Sequence, residues 1–113
     1  MNYDIIVQPT FQHEVKRLAK HYASFKEDYV ALIDALEQNP LLGTDLDNRP
    51  RKIRVKTTSK GKGKSGGTRV ITFIAVTSER NSTMNLLFVY DKAERSSISQ
   101  KELAELLKKN GLM

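Results

Sequence analysis

Residues 51–76 read RKIRVKTTSKGKGKSGGTRVITFIAV, and this stretch decides the fold class. Lys52-Ile53-Arg54-Val55-Lys56 alternates basic with β-branched side chains, the two-residue period of a strand. Residues 57–67 form a Gly/Lys/Ser loop, and Thr68 to Val76 is a second β-rich run. Two strands joined this directly are expected to pair antiparallel. Alternation also sorts the first of them. Ile53 and Val55 point to the core, so Lys52, Arg54 and Lys56 share the opposite face, ~7 Å apart along the strand.

Downstream, a polar turn over residues 77–83 leads to a third β-rich run, Met84 to Tyr90. Upstream, Tyr3 to Val7 reads as a short strand that Pro9 ends. From Thr10, the apolar residues Phe11, Val15, Leu18, Ala19 and Tyr22 recur at helical spacing. Ser24 and Glu27 have the spacing of a capping box for a second helix with Phe25, Tyr29, Leu32, Ile33 and Leu36 as its stripe. Asn39-Pro40 stops that helix, and Leu41 to Arg51 is a connecting loop. The break near Ala23 is short, which predicts an antiparallel helical hairpin. At the C-terminal end, Ser99 and Glu102 make another capping box, Ile98 and Leu103 a hydrophobic staple, and Asn110-Gly111 a stop. The order β-α-α-β-β-β-α predicts one small α+β domain over residues 1–113. Its sheet is expected to be antiparallel, with the helical hairpin and a C-terminal helix on one face.

The composition narrows the chemistry. The 113 residues contain 19 Lys and Arg, 13 Asp and Glu, two His and no Cys, for a formal net charge of +6. Without cysteine there is no disulfide, thiolate nucleophile or cysteine-based zinc site, and two histidines leave little for a metal cage. No cofactor is expected. No apolar run approaches the ~18–20 residues of a membrane span, and MNYDIIVQPTFQ lacks the features of a signal peptide. A cytoplasmic location is therefore expected.

The charge is concentrated. Residues 51–69 hold eight Lys and Arg and no acid, while the remaining 11 basic and 13 acidic side chains leave the rest at −2. Three cations in a row on one face of a strand suit successive phosphates of a nucleic-acid strand. In the loop, Gly61, Gly63 and Gly66 match G-x-G-x-x-G, but a strand follows instead of a helix, so a dinucleotide site is excluded. No Lys follows Gly66, which excludes a phosphate-binding P-loop. The modest reading is a basic loop whose Lys60, Lys62 and Lys64 close over a phosphate chain while the glycines let the backbone approach it. A merely solubilising lysine loop is the plainer alternative. His13 and His21 lie off the apolar stripe of the first helix and read as exposed. Lys, Arg, Tyr90, Asp91 and hydroxyl groups are then the polar inventory near the sheet, with Asp91-Lys92-Ala93-Glu94-Arg95 following the last strand.

Taken together, the element order, RKIRV with its GKGKSGGTR loop, and the closing VYDKAERSSISQKEL resemble the RelE/ParE superfamily of bacterial toxins. The likeness is greatest to RelE-like and HigB-like members and covers nearly the whole chain. The GKGK-x-GG-x-R loop between strands is its most specific part. The resemblance implies the toxin of a type II toxin–antitoxin system, an endoribonuclease that cuts mRNA on the ribosome and is neutralised by a cognate antitoxin protein. Lys52, Arg54, Lys56 and Arg69 match positions that clamp phosphate or transfer protons. Where many RelE-like toxins carry an arginine after the last strand, this chain has Lys92-Ala93, so Lys92 is the substitute. The family's catalytic tyrosine near the start of the last helix has no counterpart, since Ile98 and Ser99 stand there. Tyr90 is the tyrosine nearest in sequence. Arg51, Lys60, Lys62, Lys64 and Arg95 are the further expected RNA contacts.

Metal-independent cleavage needs a base for the 2′-hydroxyl, an acid for the 5′-oxygen and positive charge at the phosphate. Lysine is a poor base at its free pKa of ~10.4, but neighbouring cations lower it. The expected roles are Lys52 or Arg54 with Lys56 in deprotonation, Arg69 as clamp, and Lys92 or Tyr90 as proton donor. Two other functions fit the same sequence: a ParE-like toxin that poisons gyrase, and an RNA-binding module without catalysis.

Overall fold

A computed structural model describes residues 2–46, 50–55, 67–76 and 81–112. Its elements run β1 (Asn2–Val7), α1 (Pro9–His21), α2 (Phe25–Gln38), β2 (Thr44–Asp45), β3 (Arg51–Val55), β4 (Thr68–Val76), β5 (Asn81–Asp91) and α3 (Gln100–Lys109). The five strands form one sheet in the order β1-β5-β4-β3-β2. β2 with β3, β3 with β4 and β4 with β5 pair antiparallel. β1, however, runs parallel to β5, with Asn2 opposite Asn81 and Val7 opposite Leu86. The sheet is therefore mixed and not antiparallel throughout. Short connections dictate direction only between consecutive strands, and β1 reaches β5 after two helices and three other strands.

Pro9 occupies the first turn of α1, where the missing N–H costs nothing. α2 begins at Phe25 without the expected capping box. Ser24 has helical backbone angles, φ −87° and ψ −5°, and its hydroxyl donates to the Asp28 carboxylate. A cap normally needs extended backbone, which swings the side-chain oxygen back over the first turn. Ser99 has that geometry, φ −81° and ψ 161°, and both halves of its box with Glu102 are present. Asn110 caps the other end of α3, and Gly111 follows at φ +69°.

The sheet has a hydrophobic core on each face, so the helices are divided between the two faces and do not share one. On the first face, α1 and α2 bury Phe11, Leu18, Phe25, Leu32 and Leu36 against Ile53, Val70, Met84, Leu86 and Val89. Phe11 and Phe25 both meet Tyr29, with ring centroids 5.9 and 6.5 Å apart. On the second face, Leu103 and Leu107 of α3 pack with Ile71, Phe73, Leu87 and Tyr90. Each such side chain contributes about 1.5–3 kcal/mol by leaving water. Among the described residues no helix is long and apolar enough to cross a membrane.

A bulge in β5 re-phases the sheet. Ile71 lies opposite Phe88 while Thr72 lies opposite Leu86, so Leu87 is an extra residue. Leu87 and Phe88 consequently both pack on the α3 side, whereas Leu86 and Val89 belong to the opposite core. Strict alternation from Met84 would put Tyr90 on the hairpin face. The bulge delivers it to the other.

Candidate nucleic-acid interface

Ile53 is 4% exposed in the hairpin-side core, with Val55 packed beside it, and Lys52 and Arg54 consequently project from the second face. Arg54 lies opposite Arg69, and Arg69 opposite Tyr90. These three side chains make a row across β3, β4 and β5, stepping about 5 Å from strand to strand. The neighbouring row is Lys52, Ile71 and Phe88. Arg54 is exposed, at the rim where β3 also borders a cleft with Asp28, Leu32 and Leu42. Arg69 is 5% exposed, and its Nη1 donates to the Thr68 carbonyl at 3.4 Å.

Tyr90 is 3% exposed, and among the described residues its hydroxyl is buried without a hydrogen-bond partner. Burial raises its pKa from the ordinary phenol value, with Arg69 and Arg95 partly opposing the shift. A phenol shifted in this direction stays protonated at neutral pH. Arg95 completes this end of the face. Its guanidinium lies 5.7 Å from the Phe88 ring centroid and 5.9 Å from that of Tyr90, within cation–π range. Its Nη2 donates to Glu102 at 2.6 Å, and this hydrogen bond is the leading reason the Glu102 carboxyl titrates below its usual range.

The remaining candidates are placed differently. Lys92 follows directly on β5, and its backbone N–H donates to the Gly67 carbonyl at 3.2 Å, extending the β4–β5 ladder. Its ammonium donates to the Ser96 carbonyl at 2.8 Å. Arg51 lies opposite Thr72, on the hairpin side, and its Nη2 donates to the Gly43 carbonyl at 2.8 Å. Lys56, Lys60, Lys62 and Lys64 lie outside the described residues. His13 and His21 are both exposed on α1. Among the described residues no three His, Asp or Glu side chains gather as a metal-binding group.

Two contacts that sequence reasoning missed hold the turn after β5. The Tyr22 hydroxyl donates to the fully buried Asp91 carboxylate, whose other oxygen accepts from the Ala93 N–H at 2.9 Å. The Asp91 carbonyl accepts from Glu94 and Arg95 N–H groups. Five residues earlier, on α1, Arg17 grips both oxygens of Glu94, at 3.0 and 2.6 Å. Tyr22 read as part of the apolar stripe of α1, which gave no sign of its polar end. The arrangement sets a phenol, three arginines and a lysine on one face beside a turn held by hydrogen bonds and an ion pair. That face can bind a phosphate chain and offset the negative charge of a phosphoryl group. A comparison with models of known protein families finds no match for the chain.

Proposed function

We propose that this chain is a RelE-like toxin, an endoribonuclease that cleaves mRNA on the ribosome through its own Lys, Arg and Tyr side chains and is held in check by an antitoxin protein. The observation that carries this reading is the in-register row Arg54–Arg69–Tyr90, with Arg95 over Tyr90. Two guanidinium groups on adjacent strands, that of Arg69 buried and that of Arg54 exposed, suit the two non-bridging oxygens of a phosphodiester. The 2′-oxygen attacks phosphorus, and its proton passes to a basic side chain, with Lys52 adjacent in the next row. The bond to the 5′-oxygen breaks, and that oxygen takes a proton. Tyr90 stands in the row and Lys92 is tied to Ser96, which favours Tyr90 as the donor. The products are a 2′,3′-cyclic phosphate and a 5′-hydroxyl.

Arg54→Ala is the most direct test, because Arg54 is exposed and its removal leaves both cores intact. In a translating extract, wild type should produce codon-phased mRNA 5′ ends. The variant should cut about 10²–10³-fold more slowly, the loss typical of one transition-state donor. Intact mRNA with trapped, cleaved DNA would instead identify a gyrase poison. One observation favours a second reading: Tyr90 is 3% exposed, which suits a structural phenol under a non-catalytic RNA-binding surface. In that case wild type binds RNA, Arg54→Ala weakens binding, and neither protein cuts.

A further inference from the structure

The second face has one more concave feature, a groove between β5 and α3 with a volume of about 230 Å³. Leu103 and Leu107 turn one stripe of α3 onto the sheet. The adjacent stripe, Glu102, Glu105, Leu106 and Lys109, follows i, i+3, i+4, i+7 spacing and walls the groove. Phe88, Arg95 and Ile98 supply the other side. Phe88 neighbours Tyr90, with ring centroids 6.1 Å apart, so the groove begins where the row of cations ends.

Its chemistry is that of a base-reading pocket. The Phe88 ring and the Arg95 guanidinium are flat surfaces of the kind on which unpaired nucleobases stack. The two carboxylates differ. Glu102 is committed, with Oε2 on Arg95 at 2.6 Å and Oε1 accepting from the Ser99 N–H and hydroxyl at 3.2 Å. Glu105 is exposed and makes no hydrogen bond or ion pair among the described residues. An ionised carboxylate only accepts hydrogen bonds. Guanine alone among the four RNA bases presents two adjacent donors, N1–H and N2–H, on its pairing edge. Adenine and cytosine set a ring-nitrogen acceptor beside their amino group, and uracil flanks its one N–H with two carbonyls.

We infer that this groove is a guanine subsite, which holds the base next to the phosphodiester gripped by the Arg54–Arg69–Tyr90 row. The base stacks against Phe88 and Arg95 and donates both hydrogens to Glu105. This rests on the RNA reading above and adds to it a base preference built into α3.

The test is a titration of the isotopically labelled full chain with each of the four nucleoside 5′-monophosphates, followed by NMR at Phe88, Glu105 and Leu106. Any phosphate held by the cation row is common to all four, so differences report the base. Guanosine monophosphate should shift those signals saturably, on the order of tenfold more tightly than the other three. Inosine monophosphate, which lacks the 2-amino group, should fall between. Glu105→Gln, on an exposed helix position, should keep the fold by circular dichroism and level the four affinities. Equal responses to all four bases, or guanosine-induced shifts confined to other residues, would overturn the inference. The titration needs no cleavage. Guanine selectivity without RNA cutting would sink the nuclease and spare the subsite. Cutting whose base preference is unchanged in Glu105→Gln would do the reverse.

Discussion

Arg17 on α1 and Glu94 in the turn after β5 lie 77 positions apart and form a two-pronged ion pair, with N–O distances of 3.0 and 2.6 Å. The pair couples the helical hairpin to the turn that carries Lys92 and Arg95 from the end of β5. The hydrogen bond to Arg17 is the leading reason the Glu94 carboxyl titrates below its ordinary value.

That coupling has a pH signature. A carboxylate whose folded pKa is depressed contributes stability above its unfolded pKa and loses it as pH falls through the folded value. Both partners are more than two-fifths exposed, so the contribution is about 0.2–1 kcal/mol. A double-mutant cycle of Arg17→Ala and Glu94→Gln, read by urea unfolding, should show this coupling at pH 7. It should vanish in strong acid and shrink in high salt.

Tyr22→Phe should cost more. It removes a donor from a carboxylate that is fully buried, and about 1–3 kcal/mol is the usual penalty for such a loss. Thermal unfolding measures it. The amide signals of Ala93 and Glu94, which bond to Asp91, should move with the substitution.

Tyr90→Phe should part stability from activity. Its hydroxyl is buried without a partner among the described residues, so deletion at constant shape removes an uncompensated desolvation cost. The urea midpoint should hold or rise, while RNA cleavage should fall if Tyr90 donates the proton. A lower midpoint would show that the hydroxyl contributes to the fold.

Gly43→Ala should be destabilising where Gly111→Ala is mild. Gly43 has φ +101°, and an added Cβ would lie 2.5 Å from the Lys52 carbonyl oxygen and 2.8 Å from Ile53 Cγ1. Backbone strain and overlap together should cost roughly 1–3 kcal/mol and disturb the β2–β3 pairing. At Gly111, with φ +69°, no atom lies within 4 Å of the added carbon, leaving only the backbone term. Melting curves of the two variants give the comparison.

The parts legible in the sequence are those governed by short-range rules. Alternation from Lys52 to Val55 and the β-rich run from Thr68 to Val76 mark β3 and β4, and helical spacing marks α1, α2 and α3. Ser99 and Glu102 cap α3, while Ser24 and Glu27, with the same spacing, do not cap α2, because backbone angles decide whether the oxygen reaches an N–H. Two-residue β2 is too short to leave a pattern. The position of Tyr90 in the cation row depends on one extra residue, Leu87, and a bulge has no signature in a run as uniformly apolar as MNLLFVY. The parallel direction of β1, the docking of α3 on the second face and the Arg17–Glu94 pair all join distant segments, which no local period records.

The parallel pairing of β1 with β5 has a consequence for the order of assembly. β4 and β5 are neighbours in sequence and can zip together early, but Asn2 must wait for Asn81. During synthesis β1 leaves the ribosome well before β5 and has no edge of β5 to join until that strand has followed it. Long-range pairing of this kind pays its loop-closure entropy before it is rewarded, and it slows folding. β1 is thus among the last elements to find its place, and until then the edge of β5 is open to other strands.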